Sequence, residues 1–197
     1  MKKSLLVAVL SMVMVFTANR ASAQAFGEGT NHLSIGIGLG SGYYGYAYVA
    51  GSEYSSIPTI FASFDHGTAI ELGPGLIGIG GFAGFSSASA NYAYVGYEYN
   101  YKWTNIVFGA RGTYHYYIDN DNLDLYAGLS LGLWMQSYEY TNTDPFWGGT
   151  LDVKDSYSNL YYAGCIGARY MFTESLGAFA EVGWDVALLK LGVTLGI

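Results

Sequence analysis

From Leu123 to Met135 every odd position is apolar: Leu123, Leu125, Ala127, Leu129, Leu131, Leu133 and Met135. The positions between them carry Asp124, Tyr126, Gly128, Ser130, Gly132 and Trp134. A strict period of two puts the two sets on opposite faces of a β-strand. Strands of soluble sandwiches run about 5 or 6 residues, and this one is far longer. A tilted strand of about 9 to 11 residues is what a membrane-crossing barrel requires, with lipid on the apolar face and a packed interior on the other.

The start of the chain has a different character. Met1-Lys2-Lys3-Ser4 precedes an apolar stretch from Leu5 to Phe16, and Ala21-Ser22-Ala23 forms a small-x-small site ahead of Gln24. This pattern predicts a cleaved signal peptide over 1–23 and a mature domain over 24–197. The apolar core, about 12 residues, is shorter than the roughly 20 that a membrane-spanning helix needs. Its removal takes Lys2, Lys3 and Arg20 away and moves the formal charge from −7 to about −10, which excludes nucleic acid as a partner. Only 12% of residues are charged and 51% are hydrophobic, too little polar surface for an ordinary soluble domain. Yet no uninterrupted apolar run long enough for a spanning helix follows the signal. In lipid only helices and closed barrels satisfy every backbone polar group, so the composition points to a barrel.

The same alternation predicts further strands at His32–Gly40, Ile57–Asp65, Leu76–Phe85, Trp103–Tyr116, Leu123–Tyr138, Leu160–Phe172, Leu176–Trp184 and Leu189–Ile197. That makes eight. Their connectors alternate between compact ones at Asp65–Gly75, Ile118–Asn122 and Thr173–Ser175, and long ones at Ser41–Ser56, Ser86–Tyr101 and Tyr138–Ser158; Asp185–Leu188 is tight. Short periplasmic turns and long external loops are the habit of outer-membrane barrels. The predicted fold class is therefore all-β: an eight-stranded antiparallel up-and-down transmembrane β-barrel, located in the bacterial outer membrane.

The signal segment, the eight alternating strands and the closing pair Leu176-Gly177-Ala178-Phe179-Ala180-Glu181-Val182-Gly183-Trp184 and Leu189-Lys190-Leu191-Gly192-Val193-Thr194-Leu195 together resemble the small eight-stranded outer-membrane β-barrel proteins, the OmpA/OmpX-like group. The resemblance spans the mature chain and rests on pattern rather than on a catalytic motif. It implies outer-membrane lipid as surroundings, the barrel-assembly machinery as a folding partner, an extracellular ligand or surface partner, and a monomer. Chains of that group commonly end in an aromatic residue, whereas this one ends in Ile197.

Inward positions include Arg111, Arg169, Glu181 and Lys190, and buried charges must be paired. The hairpin reading puts Lys190 opposite Gly183 and diagonal to Glu181 and Asp185, with Arg169 diagonal to Glu181 across the preceding pair. These four residues are expected to form a charge cluster that fills the lumen. The long loops are rich in tyrosine, and Tyr46, Tyr48, Tyr92 and Tyr94 are the candidates for surface recognition, because tyrosine serves both membrane-boundary girdles and binding surfaces.

Catalysis is not expected. His32, His66 and His115 all fall at the short-turn end, away from an outer-leaflet substrate, and no Ser-His-acid arrangement emerges. Asp119–Asp124 lacks the glycine of a calcium loop and reads as a polar turn. The glycines at 36, 38 and 40 and at 75, 78 and 80 open no helix, so they are not a nucleotide motif. Cys165, the only cysteine, has no disulfide partner. Neither cofactor nor metal is predicted. The functional expectation is a non-enzymatic envelope protein that supports membrane integrity or presents its Tyr-rich acidic loops. Passage of ions or small molecules through the barrel is the first alternative, and an outer-membrane lipid-modifying enzyme the second.

Overall fold

A computed structural model describes residues 25–40, 53–94, 97–143 and 149–197, the side chain of Tyr94 excepted. The signal segment and the candidates Tyr46 and Tyr48 lie outside the described residues. Nine antiparallel strands form one sheet: β1 (Asn31–Leu39), β2 (Glu53–Ser56), β3 (Thr59–Glu71), β4 (Gly75–Tyr94), β5 (Tyr97–Tyr116), β6 (Leu123–Thr143), β7 (Thr150–Met171), β8 (Leu176–Trp184) and β9 (Leu189–Gly196). β1 pairs with β3 on one side and with β9 on the other, so eight strands close into a ring. The ninth, β2, pairs with β4 over Ala88–Asn91, continuing the sheet beyond the end of β3.

Alternation decides which way each side chain points, and the result is inverted relative to a soluble protein. In β6 Asp124, Tyr126 and Ser130 are buried while Leu129 and Leu131 are exposed. In β5 Arg111, Thr113 and His115 are buried while Ile106 and Phe108 face out. The outward set of β1, β3, β7 and β9, including Ile35, Ile37, Ile60, Phe64, Leu160, Ile166 and Val193, extends the apolar surface around the ring.

Sequence alternation places the ends of five strands wrongly, and β2 falls inside the predicted loop Ser41–Ser56. The predicted loops Ser86–Tyr101 and Tyr138–Ser158 are largely strand: β4 pairs with β5 continuously from Gly75–Tyr116 up to Tyr94–Tyr97, and β6 with β7 up to Thr143–Thr150. The apolar signal stops where the exterior ceases to be apolar, but ladder hydrogen bonding does not depend on it, and Tyr, Thr and Ser sustain a strand as well. The turn predicted at Asp65–Gly75 contracts in the same way, because β3 runs on to Glu71. Four strands therefore stand well above the rest, and the rim is lopsided.

The register advances by about ten residues in one circuit of the eight strands, the stagger that tilts strands in a closed barrel. An eight-stranded ring of this kind is just wide enough to be filled by its own side chains. Gly36 and Gly192 illustrate the crowding. A Cβ at Gly36 would lie 2.3 Å from the Leu191 carbonyl oxygen, one at Gly192 would lie 2.2 Å from that of Ile35, and both would press on the buried Phe179 ring.

Candidate functional site: the charged interior and the tyrosine sheet

The stagger brings inward side chains from six strands to one level. Arg111 on β5 reaches Glu181 on β8 through Nη2–Oε1 at 2.6 Å and Asp65 on β3 through Nε–Oδ1 at 3.2 Å. Arg169 on β7 joins Asp65 Oδ2 at 2.9 Å and Asp124 Oδ2 at 3.0 Å. Asp124 continues to His115 Nδ1 at 2.8 Å, and His115 Nε2 meets the Thr113 hydroxyl at 2.8 Å. At the other end Lys190 on β9 contacts both Glu181 and Asp185. The result is one continuous chain of ion pairs from Asp185 to Asp124, extended by hydrogen bonds to His115 and Thr113, whose charged side chains are all at most a few per cent exposed.

All four charges singled out in the sequence are thus buried and joined, with one change of register. Lys190 pairs directly with Glu181, not with Gly183. The hairpin is two residues off the predicted alignment because β8 and β9 are joined by four residues whose first three are folded inward rather than forming a minimal turn. Arg169 does sit diagonal to Glu181, since their cross-strand partners are Phe179 and Gly167, but its guanidinium turns to Asp65 and Asp124 instead.

Asp185 stands beside Lys190 as the hairpin reading expects, whereas Asp65 and Asp124, which complete the network, are not among the sequence candidates. Asp65, where the predicted strand Ile57–Asp65 meets the predicted turn, follows Thr59, Phe61 and Ser63 on the inward row of β3. Parity was the signal available for it and for Asp124. Tyr126 was likewise missed: its hydroxyl donates to Glu181 Oε1 at 2.8 Å, and its ring lies under the guanidiniums of Arg169 and Arg111 at 5.1 and 5.5 Å. Aromatic faces and a phenol O–H therefore supplement the carboxylates around two guanidiniums.

Apolar layers close this polar slab on both sides. At the short-turn end Phe26 folds under the barrel and stacks on His115 with ring centroids 3.5 Å apart. Toward the long-strand end lie Phe61, Phe82, Val107, Tyr161, Ala163, Phe179 and Val186. The connection Asp185–Leu188 dips into the mouth, with Val186 and Ala187 buried there, while Asp185 takes the Lys190 ammonium and the Tyr161 hydroxyl. Cys165, Glu181 and Asp185 each bring one ligand atom within 4.8 Å of the others. Both carboxylates are already held by Lys190, so this set is a salt bridge beside a thiol rather than a metal cage. His32 and His115 are inside the short-turn end. His66 lies within β3, not after it, and faces outward, bonded to Asn31.

Above the barrel, β4 to β7 with β2 form a protruding sheet. Its row continuous with the lumen is aromatic: Tyr92 meets Tyr99 at 6.0 Å, Tyr101 meets Tyr140 at 5.0 Å and Trp103 at 6.0 Å, and Trp103 meets Tyr138 at 5.9 Å. Burial among these rings, with the neighbouring phenols adding to it, raises the Tyr101 and Tyr138 hydroxyls above their ordinary pKa, so both remain neutral donors. The opposite row is polar, and Lys154 lies between Glu139 and Asp152 at 3.8 and 3.9 Å. Tyr92 therefore belongs to a paired strand, and the backbone of Tyr94 ends that strand. Neither is in a loop.

No protein-family model matches this sequence, and no curated protein matches it. Among solved structures, two of Ail, the attachment invasion locus protein of Yersinia pestis, are similar to this chain. One is of Ail itself, at 14% identity, and one is of Ail in complex with the heparin analogue sucrose octasulfate, at 15%. Each covers 86% of this chain and 96% of Ail with a TM-score of 0.38.

Proposed function

We propose that this chain is an integral protein of a bacterial outer membrane, without catalytic activity, that anchors a stiff β-sheet and presents it to a partner outside the cell. The observation that carries this reading is the inside-out barrel: a ring whose exterior is a continuous belt of Ile, Leu, Val and Phe and whose interior holds seven charged residues in ion pairs. An exposed apolar surface of that extent is stable against lipid and not against water.

The surface role is supported by the protruding sheet. From Thr150 to Asn159 β7 is exposed along its whole length and, among the described residues, pairs only with β6. Unpaired backbone groups on such an edge can take an extended peptide as an added strand. Asp152, Lys154 and Asp155 lie along it, the kind of charges that keep sheet edges from pairing indiscriminately. Passage through the lumen is disfavoured by the ion-paired slab and by the inward fold of Asp185–Leu188.

Single cysteines test the topology, because Cys165 is buried and stays silent. Lys154→Cys on intact cells should react with a membrane-impermeant maleimide, and Asp121→Cys in the short turn should react only after lysis. Reaction of Asp121→Cys on intact cells, or recovery of the chain outside the outer-membrane fraction, would sink the proposal.

A further inference from the structure

Among the described residues the apolar belt is dented on one side of the wall. On the outward side of the wall Phe64 and Ile79 face Leu129 and Leu131 across Gly112, and His66 closes the end nearer the short turns. Together they line a groove of about 680 Å³. Gly112 is what opens it. A Cβ added there would meet no atom within 4 Å, whereas at every other described strand glycine some atom lies inside that distance, and at many of them it is backbone. Packing does not demand a glycine at 112; an open wall does.

The polarity of the outward rows sets the level of the groove. Beyond Asn31 the outward residues of β1 are Leu33, Ile35, Ile37 and Leu39, and beyond His66 those of β3 are Phe64, Ala62 and Ile60. The Asn31–His66 pair is thus the polar pair that ends these apolar rows, with Thr68 next along β3. Its hydrogen bonding has a direction: Asn31 Nδ2 donates to the Gly29 carbonyl at 3.3 Å, so Asn31 Oδ1 accepts from His66 Nδ1–H at 2.8 Å. In the neutral imidazole that arrangement leaves Nε2 as a lone-pair acceptor. The groove offers no cation to the outside, because the Arg111 side chain turns inward to Asp65 and Glu181. An acceptor without a nearby cation suits an ammonium headgroup better than an anionic one.

We propose that this groove retains one phospholipid with a primary-ammonium headgroup, drawn from the leaflet at the short-turn end, its acyl chain lying over Gly112 and its ammonium donating to His66. The proposal rests on the membrane reading above. Its test uses the full barrel refolded into vesicles of mixed phosphatidylethanolamine and phosphatidylglycerol, followed by native mass spectrometry after bulk lipid has been stripped. Wild type should keep one phosphatidylethanolamine. Gly112→Phe, which fills open space, should lower retention by about tenfold, as should Ala110→Leu, a second filling variant should the first fail to fold. His66→Ala should keep a lipid but lose the preference between the two headgroups. Equal retention by wild type and a folded filling variant would overturn the proposal. So would a wild-type dimer that a filling variant turns into monomer, since the groove would then be a surface between copies. The two readings fail separately: a chain that never inserts into vesicles defeats the membrane assignment, whereas one that inserts normally with indifferent lipid retention defeats only the groove.

Discussion

Among the described residues Asp65 is the carboxylate that joins Arg111 to Arg169. Removing one partner of a buried pair leaves an uncompensated charge and costs about 3–5 kcal/mol. Asp65→Asn, which takes a carboxylate from both Arg111 and Arg169, should destabilise the barrel by about 3 kcal/mol, and by more than Asp124→Asn, which takes one from Arg169 alone. Lys154→Ala, which removes exposed pairs at 3.8 and 3.9 Å, should change stability by less than about 1 kcal/mol. Urea unfolding of the three variants in lipid vesicles ranks them, and an Asp65→Asn barrel as stable as Lys154→Ala would contradict the network. Arg111, Arg169, Glu181 and Lys190 were legible in the sequence by parity alone. Their contacts were not, since parity says which face a residue takes and nothing about which strand lies across the lumen.

At the scale of the element, β4 to β7 do two jobs with one backbone. Their lower halves carry apolar residues outward and belong to the ring; their upper halves carry a tyrosine row and a polar row and belong to the sheet. The sequence reading ended these strands at the change of exterior because hydrophobic alternation reports the solvent and not the hydrogen bonding. The lower ladder closes independently of the upper one, so the two parts should separate experimentally. Deleting 89–102, whose ends are cross-strand partners, and joining the stumps with a tight turn should leave a barrel that still migrates differently on SDS gels heated and unheated. Panning a library of extended peptides should enrich binders on wild type and none on this shortened form, because its loss strips β6 of the partner that stiffens the β7 edge. Equal enrichment on both would remove the sheet from the proposed role.

For the whole molecule, the lumen is stacked in layers: Phe26 beneath, the ion-paired slab above it, then the aromatic and aliphatic layer capped by Val186 and Ala187. Among the described residues these layers fill the lumen with buried side chains, so the protein should give no stable conductance steps in planar bilayers. Steps that vanish on replacing Arg169 or Glu181 would mean that the ion pairs gate a path, and the plug reading would fall. The same layering stiffens the wall without any disulfide.

Period-two alternation was enough to place the eight strands of the ring, though neither β2 nor the upper halves of β4 to β7, and to turn the four interior charges inward, because side-chain direction in a strand is a local property of the pleat. The stagger of the ring, the two-residue shift that sets Lys190 against Glu181, the recruitment of Asp65 and Asp124, the height of the β4–β7 sheet and the dent at Gly112 came only with the closed structure. Each depends on which strands meet across a lumen or along a wall, and those are distances between residues far apart in the chain.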